Sequence, residues 1–132
     1  MESKKLSKRK IKKTTNPSYE CKIYIVGWDE KNSKMLKYSS LLKYIKKFQA
    51  NHRPMIDVRI ERTKYLHGLD YSEVGHVVSA INHPKIQIDS AVRPENIKAF
   101  LHELAKKILI HFNQRIITVV DDYETTMYEQ EI

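Results

Sequence analysis

The sequence predicts an α+β fold, a two-layer sandwich in which two helices cover one face of a mostly antiparallel sheet. Three observations predict it. Residues 19–28 alternate apolar and polar, residues 97–109 repeat apolar side chains at helical spacing, and residues 115–129 read as two extended runs joined at Asp121-Asp122. The chain of 132 residues suits one domain with a modest core.

Taken in order, the first sixteen residues hold only Leu6 and Ile11 as large apolar groups. They cannot bury a core and are expected to be disordered when free. Asn16-Pro17-Ser18 closes this tail, giving a basic segment over residues 1–18 and one domain over 19–132. In the first strand Cys21, Ile23 and Ile25 share one face, and Lys22, Tyr24 and Val26 the other. A polar loop over 29–34 leads to Ser39-Ser40, which can cap a helix whose Leu41, Leu42, Ile45 and Phe48 fall on one side.

Ile56, Val58 and Ile60 alternate with Asp57, Arg59 and Glu61, which favours a second strand, broken at Gly68 and Asp70. Val77-Val78, then a turn at Asn82-His83-Pro84, then residues 85–89 read as a hairpin; a short helix over 72–82 is the alternative. Pro94 opens the long helix, which buries Ile97, Phe100, Leu101, Leu104, Ile108 and Leu109. Beyond Asn113 a final hairpin closes the sheet.

Charge narrows the function classes. The net charge of +8 is unevenly placed: residues 1–16 sum to +6, residues 31–64 to +8, and residues 65–132 to −4. Lys4, Lys5, Lys8, Arg9, Lys10, Lys12 and Lys13 crowd the tail, a pattern that neutralises phosphates and also serves in targeting. On the helices Lys43, Lys46 and Lys47, and Lys98, His102 and Lys106 with Lys107 beside them, form rows opposite the apolar stripes. Such rows are expected to track a phosphate backbone, although any amphipathic helix has a charged solvated face.

No apolar run nears the ~18–20 residues that span a bilayer, so no membrane partner is expected. No apolar segment follows the first lysines, which predicts no secretory signal. The single cysteine, Cys21, excludes an intramolecular disulfide and a multi-cysteine zinc site.

Catalytic patterns are sparse. Asp121, Asp122 and Glu124, with Asp89 or His111, are the best carboxylate set for a divalent-metal nuclease, but acids in a hairpin turn are ordinary turn chemistry. His76 and His83 lie seven apart without the spacing of a ligand pair. Gly27, Gly68 and Gly75 stand alone, so no phosphate-cradling loop is read. The expectation is a protein that is not an enzyme, with no cofactor, no metal and no small-molecule substrate.

Four pieces of the second half occur in the order of a known family. Gly75-His76-Val77-Val78, the run Lys85-Ile86-Gln87-Ile88-Asp89-Ser90, the helix from Ile97 to Leu109, and Arg115 followed by Val119-Val120 resemble the eukaryotic large-subunit ribosomal protein twenty-two family. The resemblance implies a structural constituent of the large ribosomal subunit. Its partners would be ribosomal RNA and neighbouring ribosomal proteins, in the cytoplasm after nuclear or nucleolar assembly. Carried over by position, Lys85, Lys98, Lys106, Lys107 and Arg115 would face RNA. The alternatives are a regulatory or viral interaction protein that docks an acidic partner, and the small metal-dependent nuclease.

Overall fold

A computed structural model describes residues 9–15, 17–68, 70–83 and 86–132. The alternation of the first strand sets the geometry of the rest. β1 (Glu20–Val26) buries Cys21, Ile23 and Ile25 completely and turns Glu20, Lys22, Tyr24 and Val26 to the opposite face. Each isoleucine so buried contributes about 1.5–3 kcal/mol relative to an exposed one. At Gly27 the chain leaves the sheet with its amide donating to the Val74 carbonyl at 3.0 Å. A side chain at 27 would collide with that same carbonyl, so the close approach requires glycine.

β2 (Trp28–Asp29) and β3 (Lys34–Met35) form a small ribbon with Trp28 opposite Met35. Asp29 is buried and ties their loop together. Its Oδ1 accepts from the amides of Lys31 at 3.1 Å and Asn32 at 2.8 Å, and its Oδ2 from Asn32 Nδ2 at 3.0 Å. Asn113 Nδ2 adds a donor at 3.1 Å from the far end of the second helix.

α1 (Tyr38–Ala50) buries Leu41 and Ile45, as its periodicity predicts, but begins one residue before the two serines, with Lys37 in the cap position and no side-chain cap. The strand expected around Ile56 starts later: β4 runs Arg59–Leu66, and Ile56 enters the core from a loop. β5 (Ser72–Ile81) is a full strand, which removes the helical alternative over 72–82.

The return strand expected at residues 85–89 does not form among its described residues, 86–89. Both edges of β5 are already occupied, one by β4 and the other by β1. The pattern there is also inverted: Gln87 is buried while Ile86 and Ile88 are exposed. The Gln87 amide takes the place of a strand partner, accepting from the Asp57 amide and donating to its carbonyl, both at 2.8 Å.

α2 (Pro94–His111) carries the largest apolar stripe, and two residues beyond its end Asn113, with φ of +52°, lets the chain turn back. β6 (Ile116–Asp121) and β7 (Thr125–Glu129) complete an antiparallel sheet of order β4-β5-β1-β6-β7. Both helices pack on the face that holds Ile23, Val78 and Ile117, joined by Phe48 against Phe100 at 5.1 Å and Tyr44 against Phe112 at 5.4 Å. The other face carries Tyr24, Tyr65, Val77, Thr118 and Met127, and no element among the described residues covers it.

Candidate functional site

The expected nucleic-acid residues fall in the tail, on both helices, at Lys85 and at Arg115. Lys4, Lys5, Lys8 and Lys85 lie outside the described residues, and Arg9, Lys10, Lys12 and Lys13 belong to an exposed stretch without regular structure. Lys43, Lys46 and Lys47 are exposed on α1, which carries no acid, and none of the three forms an ion pair among the described residues.

The row on α2 is largely spent on the fold. Lys98 Nζ pairs with Glu124 at 2.9 Å and lies 3.8 Å from Asp121, and Arg115 pairs with Glu30 at 3.6 Å. His102 Nδ1 meets the Tyr128 hydroxyl at 2.7 Å, while Lys106 sits 5.6 Å from the centre of the same ring. Lys107 is exposed.

The carboxylates weighed for metal chemistry are likewise occupied. The buried Asp121 side chain accepts from the Tyr19 hydroxyl and from the amides of Tyr123 and Glu124, each at 2.8 Å. Burial alone would raise its pKa, but these donors and Lys98 hold it below the usual carboxylate value. Asp122 caps the start of β1 through the Glu20 amide at 3.2 Å. No group of three or more histidine, cysteine or acidic side chains placed to hold a metal occurs among the described residues.

A different set of residues converges at the end of the sheet where β1 leaves it. The close approach of Gly27 to Val74 brings the β2–β3 ribbon against the start of β5. Between them lies a groove of about 260 Å³, bordered by Trp28, Met35, Tyr71, Glu73 and Val74. Trp28 is 45% exposed, Met35 50% and Tyr71 58%, an unusual grouping of large apolar surface around one carboxylate.

Glu73 is reached by His67 Nε2 at 3.1 Å across the β4–β5 hairpin. The two are held together by cross-strand pairing of Tyr65 with Glu73 and of Leu66 with Ser72, and by a bond of 2.8 Å from the His67 amide to the Tyr71 carbonyl. Gly68, with φ of +84°, makes the bend. The rings of His67 and Tyr71 lie 5.3 Å apart. Loss of solvent first, then the charge of Glu73 and a hydrogen bond to it, raise the pKa of the Tyr71 hydroxyl.

Tyr65 lies next to this carboxylate on the open face. Its ring fills the space above Gly75, and its hydroxyl is buried without a hydrogen-bond partner among the described residues. Burial first, and then the charges of Tyr24 and Glu73, raise its pKa. An unpaired buried hydroxyl costs about 1–3 kcal/mol, so it is a group suited to an incoming polar atom.

Sequence reading does not point to this set, because Trp28 is more than forty residues away from the Tyr71–Glu73 segment. The available signal was a tryptophan beside a glycine at a strand end, where nothing in the pattern buries it.

Two solved structures share the fold over 93% of this chain and 98% of theirs. One is a phage SAM lyase in complex with S-methyl-5'-thioadenosine, with a TM-score of 0.62 and 10% identity. The other is a phage SAM lyase in the apo state, with a TM-score of 0.61 and 14% identity. No family model matches the chain, and no curated protein does.

These findings correct the ribosomal reading. The fold is shared with two solved structures of phage SAM lyase, an enzyme, and one of these structures holds a small molecule. That conflicts with a structural role in the large subunit, with ribosomal RNA and ribosomal proteins as partners, with a non-enzyme, and with the absence of a small-molecule substrate. The resembling pieces were short and common in composition. Of the four, the middle of β5 pairs with β1 and β4, and the supposed return strand is not one in its described part.

Proposed function

We propose that the chain binds S-adenosylmethionine in the groove between Trp28, Tyr71 and Glu73 and cleaves its sulfonium to release methylthioadenosine. The observation that carries this reading is one carboxylate set among exposed aromatic rings, in a fold shared with two solved structures of phage SAM lyase. Adenine offers a flat π-face for Trp28 or Tyr71, and the sulfonium is a permanent cation that Glu73 and the ring faces attract. The groove is smaller than the ~300–1,000 Å³ of pockets that enclose a drug-sized ligand. It therefore takes one part of the molecule and leaves the rest over the open sheet face, toward Tyr65.

The chemistry asks little of the protein. When the carbon–sulfur bond breaks, its electron pair returns to sulfur and the leaving group is a neutral thioether, so no acid is needed to protonate it. The bond that breaks joins sulfur to the amino-acid chain. That chain is then satisfied either by loss of a neighbouring C–H proton to solvent or by its own carboxylate oxygen bonding to the carbon that leaves sulfur, so no water is consumed. Glu73 holds the cation, and the rings hold the base so that the bond is oriented for cleavage. Incubation with S-adenosylmethionine followed by chromatography should show methylthioadenosine, and Glu73→Gln should lower kcat/KM by about tenfold or more. No product, together with no calorimetric binding of either compound, overturns the reading.

A second reading, docking of an acidic partner, is favoured by the acid-free face of α1, whose three lysines form no ion pair among the described residues. Retention on immobilised polyglutamate that falls with salt, and is lost on changing Lys43, Lys46 and Lys47 to glutamate, would support it. Equal retention of that variant would remove it.

A further inference from the structure

We propose that His67 is a positioning residue that makes the groove discriminate by charge, setting how well Glu73 receives a cation while leaving a neutral thioether unaffected. The inference rests on the function proposed above and deepens it. The His67–Glu73 contact of 3.1 Å joins the tip of the β4–β5 hairpin to the one carboxylate of the groove. The His67 side chain is 48% exposed and that of Glu73 is 27% exposed, so both respond to solvent and to a ligand.

A sulfonium and the thioether it leaves differ by one positive charge and the attached chain. The thioadenosine part, which the aromatic rings hold, is common to both. Discrimination between substrate and product therefore falls to the charged end of the groove. A protonated His67 neutralises Glu73 and repels a second cation. A neutral His67 leaves the carboxylate's charge available while a hydrogen bond still fixes its direction.

The other groups that face this pair are tyrosines: Tyr71 on the hairpin, Tyr65 across from Glu73 on β4, and Tyr24 beyond it on β1. Tyrosine ordinarily ionises far above about pH 5 to pH 7, the range in which histidine changes charge, and burial raises Tyr65 and Tyr71 further. Asp70 is a further acidic residue of the same hairpin. Lys64 and Arg62 point to the helix-covered face, opposite Glu73.

Calorimetric titration of the full chain with two probes tests the inference. Sinefungin carries an amino-bearing carbon in place of the sulfonium and resists cleavage; methylthioadenosine is neutral. Sinefungin should bind about three- to fivefold more tightly at about pH 7 than at about pH 5, the range expected of a partly exposed ion pair. Methylthioadenosine should bind equally at both, and His67→Gln should abolish the sinefungin trend while keeping binding.

A trend that persists in His67→Gln, or one that methylthioadenosine shares, overturns the inference and leaves the proposed function standing. So does sinefungin binding that is flat with pH in the unaltered chain. Failure of both probes to bind at any pH overturns the function and the inference together.

Discussion

Replacing His76 with leucine should raise stability and remove part of the protein's acid sensitivity. His76 sits within β5 at 1% exposure, and neither ring nitrogen has a hydrogen-bond partner among the described residues. The Tyr38 ring stacks on it at 6.0 Å, and the Arg62 guanidinium lies 5.6 Å from the centre of that tyrosine ring. Burial, followed by the charge of Arg62, pushes the His76 pKa below the usual imidazole value, so the ring is folded in neutral.

In the unfolded chain an ordinary histidine takes up its proton below about pH 6.5. Because the folded pKa is lowered, the unfolded state binds more protons as pH falls. Stability therefore drops from about pH 6.5 downward until the folded ring itself titrates. One proton of difference is worth up to about 1.4 kcal/mol per pH unit, which makes the loss between about pH 7 and about pH 5.5 about 1 kcal/mol.

Leucine of similar volume removes two unsatisfied nitrogens, whose burial costs about 1–3 kcal/mol. It forfeits a ring stack worth about 0.5–1.5 kcal/mol. The net expectation is a gain of about 1 kcal/mol near neutral pH. Urea denaturation at both pH values reads each quantity from the midpoint at constant slope. His102, whose pKa is also lowered by burial, is present in both proteins and cancels in the comparison. A variant that loses as much on acidification as its parent refutes the reasoning.

Three further outcomes follow from the geometry. Asp29→Ala strands four donors around a buried site and should cost about 2–4 kcal/mol in chemical denaturation. Burial would raise the Asp29 pKa, but the Asn32, Asn113 and Lys31 donors hold it below the usual carboxylate value. Its contribution is thus present above about pH 4 and is lost as pH falls further, so parent and variant should converge in acid. Gly75→Ala places a methyl group against the Ile25 carbonyl and 2.5 Å from Tyr65 Cε2. It should cost about 1–3 kcal/mol by thermal denaturation and displace the tyrosine ring from its place over residue 75, visible as a changed tyrosine fluorescence. Cys21 is fully buried, and burial pushes its thiol up to about 11. A disulfide reagent should label it only at the rate of unfolding, and rapid labelling of the native protein would contradict the placement of β1.

Much of the fold was legible because periodicity and burial agree in it. The stripe from Ile97 to Leu109 and the alternation of Cys21, Ile23 and Ile25 each match the buried side of the element observed. Residues 86–89 misled because their isoleucines face solvent and a glutamine is buried, a reversal caused by a tertiary bond to Asp57 that no local pattern carries. The groove was hidden for a related reason. Trp28 meets Tyr71 and Glu73 only after Gly27 docks on Val74, and each looks like an ordinary loop or strand residue alone. Charge patterns carry no partner information either: Lys98 and Arg115, which the resemblance placed toward RNA, pair with Glu124 and Glu30.

The strand order has a consequence for how the chain assembles. β1 is the first strand along the chain yet the middle one of the sheet, and its two neighbours, β5 and β6, begin only at Ser72 and Ile116. During synthesis it must wait, unpaired, until most of the domain has emerged, because neither ladder closes over a short loop. Such non-local pairing slows folding and leaves an apolar strand with two bare edges in the meantime. A chain interrupted before Ile116 would keep one of those edges open, and its most buried strand would become the surface on which it aggregates.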